Sequence, residues 1–335
     1  MLRALLMLRT LIFALFALLS AHAYAGDDAW FLLQKSAHAA RELNYQGVFV
    51  YQNGKQTRSV QITHMNNAGQ ELTRNVVLDN SLTSGKTTEP REVYSQGKDI
   101  VIFKPQNQKM VIEKRRGQNL FPAMLPTDLV IIKSSYTARL GALEYVAGRE
   151  AQVVDLVPND AFRYSYKIWA DTEYGLLLKM TLIDSKNQTL EQIEFNQLSM
   201  LNSHDENWFK PTIDVKKSYV MEDATTVNRI SNDWIVTELP VGYAKVDHRA
   251  LVVSGKSAPV DQIIFSDGIA SVSLFIEPLS KGKRPKMGHM QIGSTNICAN
   301  VINGYQVTVV GEVPAATVMQ IAKAVSFKKL AASNK

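Results

Sequence analysis

Four cationic side chains fall within six residues in the run Lys281-Gly282-Lys283-Arg284-Pro285-Lys286. Glycine and proline disfavour regular secondary structure, so this run is predicted to be an exposed loop between two strands. Its cations would attract an acidic protein segment or anionic lipid head groups, which makes Lys281, Lys283, Arg284 and Lys286 candidate partner-binding residues. The alternative is a loop that is merely solvated, as most such runs are.

The charge of the chain is unevenly distributed. The formal net charge is +6, but residues 26–214 carry 21 basic and 22 acidic side chains, whereas residues 215–335 carry 14 and 9. The excess of positive charge therefore belongs to the C-terminal third. This balance favours an acidic or anionic partner for that part of the chain.

The sequence lacks the local motifs of several enzyme classes. We find no Gly-x-Ser-x-Gly, no His-Glu-x-x-His and no Ser-x-x-Lys with its companion elements. The histidines are scattered, without a second histidine or cysteine at metal-ligand spacing. We therefore predict a binding protein without catalytic residues, metal or other cofactor, and keep an enzyme with a dispersed catalytic site as an alternative.

The chain has a single cysteine, Cys298, which excludes an intramolecular disulfide. The alternating pattern around it fits a small buried side chain in a strand, and a reactive thiol is the alternative.

Aromatic and other large apolar residues form a second set with possible binding chemistry, because such side chains line ligand cavities. The alternative is that each of them fills an ordinary core. The wider set comprises Phe49, Tyr51, Phe103, Met110, Phe121, Met124, Leu125, Tyr164, Tyr166 and Trp169. The candidates for contact with a lipid are Phe49, Phe103, Phe121, Met124, Leu125 and Trp169.

The elements that would position these residues are mostly strands. Spacings of three and four predict a helix from Ala29 to Leu43, and a period of two follows it. Asn53-Gly54 predicts a tight hairpin between the first two strands. Further strands are predicted at 72–78, 91–94, 100–103, 110–112, 151–157, 162–169, 176–183, 190–198, 261–266, 271–276, 296–302 and 306–310, with a helix opened by Pro314. The fold class is therefore α+β, with mostly antiparallel β structure.

The chain is predicted to have an exported leader and two domains. Residues 1–25 combine a basic start, an apolar run shorter than the roughly 20 residues of a membrane span, and the small residues of a cleavage site. We predict domains at 26–202 and 217–330, joined by a polar linker at 203–216. Export places the protein away from nucleic acid.

The sequence resembles the MucB/RseB family over almost the whole predicted mature chain. The segments that carry the resemblance are Tyr45–Tyr51, Pro90–Val93, Phe121-Pro122, Leu125-Pro126, Val146–Ala151, Arg163–Asp171, Gly175–Met180, Glu191-Gln192, Leu239–Tyr243, Phe265–Phe275 and Val309–Pro314. Their order and coverage make the match specific. The stretch from Thr73 to Thr88 departs from the family pattern.

The resemblance implies a large lipoprotein-carrier-like half-barrel domain, whose hollow is covered by helices, and a smaller α/β C-terminal domain. It also implies a periplasmic negative regulator of sigma-factor activity. Such proteins bind the periplasmic part of a single-span anti-sigma factor and shield it from proteolysis, and lipopolysaccharide or another acylated ligand releases them. A periplasmic lipid or lipoprotein carrier is the alternative function, and a homo-oligomer is compatible with either.

Overall fold

The structure is a computed structural model that describes residues 27–54, 56–78, 92–96, 99–104, 109–114, 120–202, 205–209, 220–223, 226–227, 233–252, 256, 258–279, 282 and 284–327. For residues 96, 99–104, 109–114, 206, 220–223 and 226–227 only the backbone is described. The predicted leader, most of the predicted linker and residues 79–88 of the stretch that departs from the family pattern lie outside the described residues. No helix in the described ranges is long and apolar enough to cross a membrane.

The larger part of the fold is a helix on a 12-stranded sheet. Helix α1 spans 27–42. The strands are β1 (Tyr45–Asn53), β2 (Gln56–Asn67), β3 (Gln70–Leu78), β4 (Glu92–Gln96), β5 (Asp99–Lys104), β6 (Lys109–Lys114), β7 (Tyr136–Val146), β8 (Arg149–Pro158), β9 (Ser165–Asp171), β10 (Leu177–Ile183), β11 (Thr189–Met200) and β12 (Val220–Asp223). Their order is β12-β6-β5-β4-β3-β2-β1-β11-β10-β9-β8-β7, and the two end strands do not pair with each other. The sheet is therefore open, as a half-barrel requires.

Two short elements lie outside this sheet order. Helix α2 (Val130–Lys133) precedes β7, and a single 3-10 turn (Glu206–Phe209) follows β11. Strand β12 pairs with β6 in parallel, while the other pairs of this sheet are antiparallel. Because β12 lies within 217–330 yet belongs to the large sheet, part of the predicted C-terminal domain extends the first sheet.

The second part of the fold is a helix packed on a seven-stranded antiparallel sheet. Its elements are β13 (Thr226–Val227), β14 (Trp234–Val236), β15 (Ala244–Leu251), β16 (Val260–Ser266), β17 (Ser271–Pro278), β18 (Gly288–Ile292), β19 (Thr295–Ile302), β20 (Tyr305–Gly311), α3 (Ala315–Ala324) and β21 (Val325–Phe327). The sheet order is β13-β15-β16-β17-β20-β19-β18, and β14 pairs separately with β21. The predicted fold class, mostly antiparallel α+β with a large and a smaller domain, is confirmed.

The prediction for the N-terminal helix and hairpin is confirmed with one change of register. Asn53 pairs with Gln56, so Asn53 ends β1 and the two-residue connection begins at Gly54. Gly54 has a φ of +56°, which glycine adopts without the steric cost that a Cβ imposes. The Asn53 side chain instead makes contacts with Glu191 and Ser294, which are described below.

The strand β7 was missed by the sequence pattern. Its central residues Leu140, Gly141, Ala142 and Leu143 do not alternate, because a bulge between Leu140 and Leu143 interrupts the register with β8. The strand is also the edge of the sheet, where most of its side chains are exposed. An edge strand with a bulge lacks the period-two signal on which the prediction relied.

The first core lies between α1 and the inner face of the large sheet. Leu33 and Ala37 of α1 are buried in the same cluster as Phe49 and Phe195. Phe121, in the irregular segment before α2, packs its ring 5.1 Å from that of Phe49 and 5.0 Å from that of Phe195. The irregular segment that contains Phe121 therefore fills the hollow of the sheet at this point.

The second core lies between α3 and one face of the smaller sheet. Val318 and Ile321 of α3 are fully buried with Val307 and Val309 of β20. The opposite face of this sheet is directed at the first domain, because its residues Ser273 and Val310 share a cavity with residues of the large sheet. The smaller sheet thus has its helix on one face and the first domain on the other.

Candidate binding site at the domain interface

The inner face of β1 passes from the first core to the second domain. Tyr45 and Phe49 are buried under α1. Because side chains on one face of a strand recur every two residues, Tyr51 and Asn53 continue the same face beyond the helix. Tyr51 lines the cavity between the domains, and the Asn53 amide nitrogen lies 3.3 Å from Ser294 Oγ of the second domain.

A buried ion pair joins the domains at one end of the interface. Arg163 Nε donates to Asp267 Oδ2 at 2.8 Å, and both side chains are fully buried. The Arg163 guanidinium also donates to Asp160 and to the backbone carbonyl of Val241, and lies 4.8 Å from the centre of the Tyr243 ring. We name this group the ion-pair contact. In it, residues of both domains accept hydrogen bonds from the arginine.

The backbone of the second domain approaches the ion-pair contact closely. Gly242 has a φ of +84°, and a Cβ at this position would lie 2.5 Å from Ser135 Oγ and 2.8 Å from Arg163 Nη2. Asp267 Oδ1 in turn accepts the backbone N–H groups of Ile269 and Ala270. These bonds within its own loop orient the Asp267 carboxylate toward the arginine.

Further hydrogen bonds link the domains away from this contact. Asn296 Nδ2 donates to Tyr164 Oη at 3.0 Å, and Thr317 Oγ1 donates to the carbonyl of Phe162 at 2.7 Å. Glu191 accepts a hydrogen bond from Asn53 Nδ2 at 2.8 Å and another from the Ser294 hydroxyl. The two domains are therefore held by side-chain bonds at several places.

Between these contacts lies a cavity of about 560 Å³, which we name the interdomain cavity. Both domains contribute to its walls, and its volume lies within the roughly 300–1,000 Å³ that is common for ligand sites. The apolar lining residues are Tyr51, Leu120, Phe121, Met124, Tyr166, Met180, Leu182, Ile193, Ile269, Phe275 and Val310. Its lining suits an apolar group.

Two carboxyl groups give the interdomain cavity a distinct electrostatic character. The Glu312 side chain keeps contact with solvent, but desolvation by the surrounding domains, together with repulsion from Glu191, raises the pKa of Glu312 to about 7. Burial is also the main cause that raises the pKa of Tyr51 to about 12, with Glu191 and Glu312 adding to the rise. Within the described residues no hydrogen bond or ion pair to the Glu312 carboxyl is found, so its charge depends on pH near neutrality.

The structure separates the residues predicted to contact a lipid. Phe121 and Met124 line the interdomain cavity, as do Tyr51 and Tyr166 of the wider set. Phe49 and Leu125 are instead buried in the first core. The backbone of Phe103 lies in β5, but its side chain lies outside the described residues. A role of these residues in binding an acylated ligand stays a prediction.

Trp169 does not line the interdomain cavity. It pairs with Lys179 across β9 and β10, and its ring lies under the ammonium groups of Lys179 and Lys167, 4.8 and 5.0 Å from the ring centre. Trp169 Nε1 donates to Glu144 Oε2 at 2.7 Å. Its neighbours Tyr166 and Ile168 point to the inner face, so the alternation of the strand turns Trp169 outward.

Half of the predicted basic loop is described. Lys281 and Lys283 lie outside the described residues, whereas Arg284 and Lys286 are exposed as predicted. The side chain of Gln306 accepts the backbone N–H of Lys286 at 2.9 Å and donates to the carbonyl of the same residue at 2.8 Å. This pair of bonds fixes Lys286, at the base of the loop, to β20.

The cysteine and two of the histidines have surroundings that are typical of structural side chains. Cys298 lies in β19, half-buried against the second core, and burial raises the pKa of its thiol, which disfavours a reactive thiolate. His38 is exposed and lies 3.2 Å from Glu42. His64 is buried and stacks on Tyr45. No group of three potential metal ligands occurs in the described ranges.

Sequence reasoning missed the residues that join the domains. Arg163 and Asp267 both lie in segments that carry the family resemblance, but nothing in the sequence pairs two residues that are 104 positions apart. Glu191 and Glu312 also lie in such segments and meet only when β11 and the end of β20 face each other. The resemblance could have marked these residues as candidates without assigning their contacts.

Profiles of two domains match the chain. The MucB/RseB N-terminal domain matches residues 28–213, and the MucB/RseB C-terminal domain matches residues 228–326. Two relatives are the sigma-E factor regulatory protein RseB of Escherichia coli, which is 26% identical over 92% of this chain and 94% of its own, and the sigma factor AlgU regulatory protein MucB of Pseudomonas aeruginosa, which is 27% identical over 97% and 99%.

The fold is also similar to a solved complex. The structure of Pseudomonas aeruginosa MucA/MucB contains a chain that is 26% identical to this one, with a TM-score of 0.71 over 90% of this chain and 100% of that chain. The relatives named here are regulatory proteins. Since the two domain profiles together cover most of its length in the expected order, the chain belongs to the MucB/RseB family.

Proposed function

We propose that this protein is a periplasmic negative regulator of sigma-factor activity that acts by binding the periplasmic part of a single-span anti-sigma factor. The observation that carries the proposal is the interdomain cavity, whose walls come from both domains. A site of this kind suits binding. Membership of the MucB/RseB family and the similarity to the MucA/MucB complex support the choice of partner.

Bound to the anti-sigma factor, the protein shields that segment from proteolysis by covering it. This mechanism needs a surface and no catalytic residue. The positively charged C-terminal third and the interdomain surface together form the proposed docking area, because Arg284 and Lys286 are exposed there and attract acidic segments. Regulation of transcription is indirect, since a protein exported beyond the membrane meets only the exported part of its partner.

Lipopolysaccharide or another acylated ligand releases the partner in this proposal. An acyl chain that enters the interdomain cavity contacts Phe121 and Met124 and stabilises a state of the two domains that binds the partner less well. Coupling of this kind is reciprocal, so the partner must also weaken binding of the acylated ligand by the same factor. We therefore place the acyl chain in the space between the domains. The hollow of the first domain, which the family resemblance suggested, is filled by α1 and Phe121.

The first experiment asks whether the partner exists. The purified mature protein is immobilised and incubated with a detergent-solubilised envelope fraction of the same bacterium, and retained proteins are identified by mass spectrometry. We expect retention of a single-span anti-sigma factor. A control column carries Arg163→Ala, which removes the ion-pair contact. Retention of no such protein by the wild type would refute the proposed function.

The second experiment measures the coupling. A preformed complex with the periplasmic segment of that anti-sigma factor is titrated with lipopolysaccharide, and the fraction of bound partner is followed together with its cleavage by an added protease. We expect bound partner to fall and cleavage to rise. If the affinity of the partner is the same with and without lipopolysaccharide, the release mechanism is wrong while binding itself still stands.

A lipid or lipoprotein carrier is the second candidate, favoured by the open sheet of the first domain. Co-purified lipid together with its transfer to vesicles would support a carrier. The filling of the described hollow by Leu33, Phe49, Phe121 and Phe195 is an argument against it, because a carrier needs that space for its cargo.

A further inference from the structure

Strand β18 is an edge of the smaller sheet. It pairs with β19 on one side, and no described strand pairs with its other side. All five of its residues, Gly288–Ile292, are exposed. An exposed edge carries backbone N–H and C=O groups without strand partners and is a template for one more strand.

The hydrogen-bond pattern identifies the free backbone groups. Ile292 and Thr295 close the two-residue connection Gly293-Ser294, and the closing pair of such a hairpin is hydrogen-bonded. Alternate residues of β18 therefore bond to β19, and His289 and Gln291 direct their N–H and C=O groups to the open side. The hairpin between β19 and β20 is closed by the pair Ile302 and Tyr305. Its register shows which residues of β19 bond to β20 and which bond to β18, and it gives the same assignment.

The other long edge is less suited to pairing. Strand β7 is interrupted by its bulge between Leu140 and Leu143, and bulges protect edges against added strands. The opposite end of the smaller sheet is β13, which has two residues. Among the edges whose side chains are described, β18 is thus the regular one with room for a segment of five residues.

The charge around β18 is of one sign. Residues 279–311, which include the basic loop, β18 and β19, contain four basic side chains and no aspartate or glutamate. Arg284 and Lys286 are exposed directly before the strand. The strand itself carries exposed Met290 and Ile292 on one face. A complementary strand would combine acidic residues at the end near the loop with apolar residues at alternate positions.

The far end of β18 reaches the first domain. Asn53 Oδ1 lies 2.7 Å from the position of a Cβ on Gly293, and Asn53 Nδ2 contacts Ser294 Oγ. A segment laid along β18 therefore begins beside Arg284 and Lys286 and ends beside the β1–β2 hairpin. One extended segment can contact both domains in this way, which links its binding to the domain arrangement.

We propose that an extended acidic segment of the partner binds by adding a strand to the open edge of β18. This inference rests on the proposed function and specifies where and by which chemistry the anti-sigma segment docks. Backbone hydrogen bonds at His289 and Gln291 provide affinity, the exposed Arg284 and Lys286 select acidic sequence, and Met290 and Ile292 select apolar residues. An anionic membrane surface would also attract the basic loop, but lipids do not offer the alternating donors and acceptors that this edge requires.

The test uses a substitution that removes one free donor and leaves the sheet intact. In Gln291→Pro the missing N–H is the one that points to the open side, so the β18–β19 bonds remain. The matched control is Gln291→Ala, which loses the same side-chain contact with Gly293 but keeps the N–H. Thermal unfolding monitored by circular dichroism confirms that both variants are folded.

Affinity is measured by calorimetry with the recombinant periplasmic segment of the native anti-sigma factor. We expect Gln291→Pro to weaken binding about tenfold and Gln291→Ala by less than about twofold, since one backbone hydrogen bond is lost and a ring obstructs the edge. Hydrogen exchange of the wild-type complex should show protection of the His289 and Gln291 amides on binding.

The outcomes separate the two proposals. If the wild type binds the segment and Gln291→Pro binds equally well, strand addition is refuted and the proposed function stands. If the wild type does not bind the segment at all, both are refuted. A parallel measurement uses vesicles with anionic lipid. If the wild type sediments with the vesicles, and the segment binds without protecting the β18 amides, the edge is a lipid-facing surface and strand addition is wrong.

Discussion

Two regions of the domain interface accommodate acidic groups in opposite ways. At the ion-pair contact, Asp267 is fully buried but meets the Arg163 guanidinium and two backbone N–H groups. In the interdomain cavity, Glu312 is partly desolvated beside Glu191, and the pKa of Glu312 rises to about 7. Tyr51 and Tyr166 also face this pair, and because burial raises the pKa of both phenols, they stay neutral there.

The difference shows how one interface can contain both a fixed contact and a group whose charge can change. At the ion-pair contact, Asp267 meets donors from its own loop and from Arg163 of the other domain, and these bonds fix the arrangement of the domains. A desolvated carboxyl without such partners avoids the cost of its charge by taking up a proton. The ion-pair contact therefore holds the domains together, while the interdomain cavity can change its charge and its contents when a ligand or proton arrives.

The largest expected effect comes from removing one partner of the ion-pair contact. Arg163→Ala or Asp267→Ala leaves an uncompensated buried charge and should lower the free energy of unfolding by roughly 3–5 kcal/mol. Urea unfolding followed by tryptophan fluorescence measures it. The control Lys256→Ala disrupts the partly exposed pair with Glu277 and should cost less than about 1 kcal/mol. Equal losses in both variants would mean that the ion-pair contact does not hold the interface.

The second prediction concerns the close approach of Gly242. Gly242→Ala combines a strained positive φ with overlap against Ser135 and Arg163, and should cost roughly 2–3 kcal/mol. Gly304→Ala is the matched control, because Gly304 also has a positive φ of +79° but a Cβ added there would meet no atom within 4 Å. The excess cost of the first variant, measured by denaturant unfolding, reports on packing at the ion-pair contact. No excess would argue against tight packing there.

The third prediction concerns Glu312 and pH. Between pH 4.5 and about 7 the unfolded chain has lost the Glu312 proton while the folded protein still holds it. Stability should therefore fall as pH rises through this range, by roughly 1–2 kcal/mol from this residue once solvent screening of its exposed part is allowed for. Glu312→Gln should remove that part of the fall, and exposed Glu238→Gln should leave it unchanged. A pH profile of urea unfolding that is identical in Glu312→Gln and wild type would contradict the role assigned to this carboxyl.

The smallest effect is expected at the surface, where charges are solvated. Changing Lys283, Arg284 and Lys286 to Glu should weaken binding of the anti-sigma segment by less than about 1 kcal/mol and flatten its salt dependence. Calorimetry at several salt concentrations measures both. Lys186→Glu, in an exposed turn of the first domain, is the control and should change neither. Unchanged affinity in the triple variant would show that the basic loop is merely solvated.

Much of the fold followed from local patterns. A helix from Ala29 to Leu43 was predicted from apolar spacing and is present at 27–42. The strands from β8 to β11 and from β16 to β20 were largely predicted, with the exception of β18. Strand β18 and strand β7 were missed because both are edges, where exposure on both faces removes alternation. The exposure of Arg284 and Lys286 agrees with the sequence pattern, because cations between glycine and proline have little reason to be buried.

The candidate site could be predicted only in part. Phe121 and Met124 line the interdomain cavity, but Trp169 faces the other side of its sheet. Composition identifies which residues suit a cavity, and the face that each presents depends on strand register. A shift of one residue exchanges the two faces, so this choice lies beyond a list of apolar residues.

The sequence by itself determined the fold class, the positive charge of the C-terminal third and the family of this protein, because these depend on local pattern and on ordered motifs. Only the tertiary structure decided that Arg163 meets Asp267, that Glu191 faces Glu312 and that the open edge of β18 ends beside Asn53. The physical reason is that these contacts join residues distant in the chain, and their geometry is fixed by how the two sheets pack against each other.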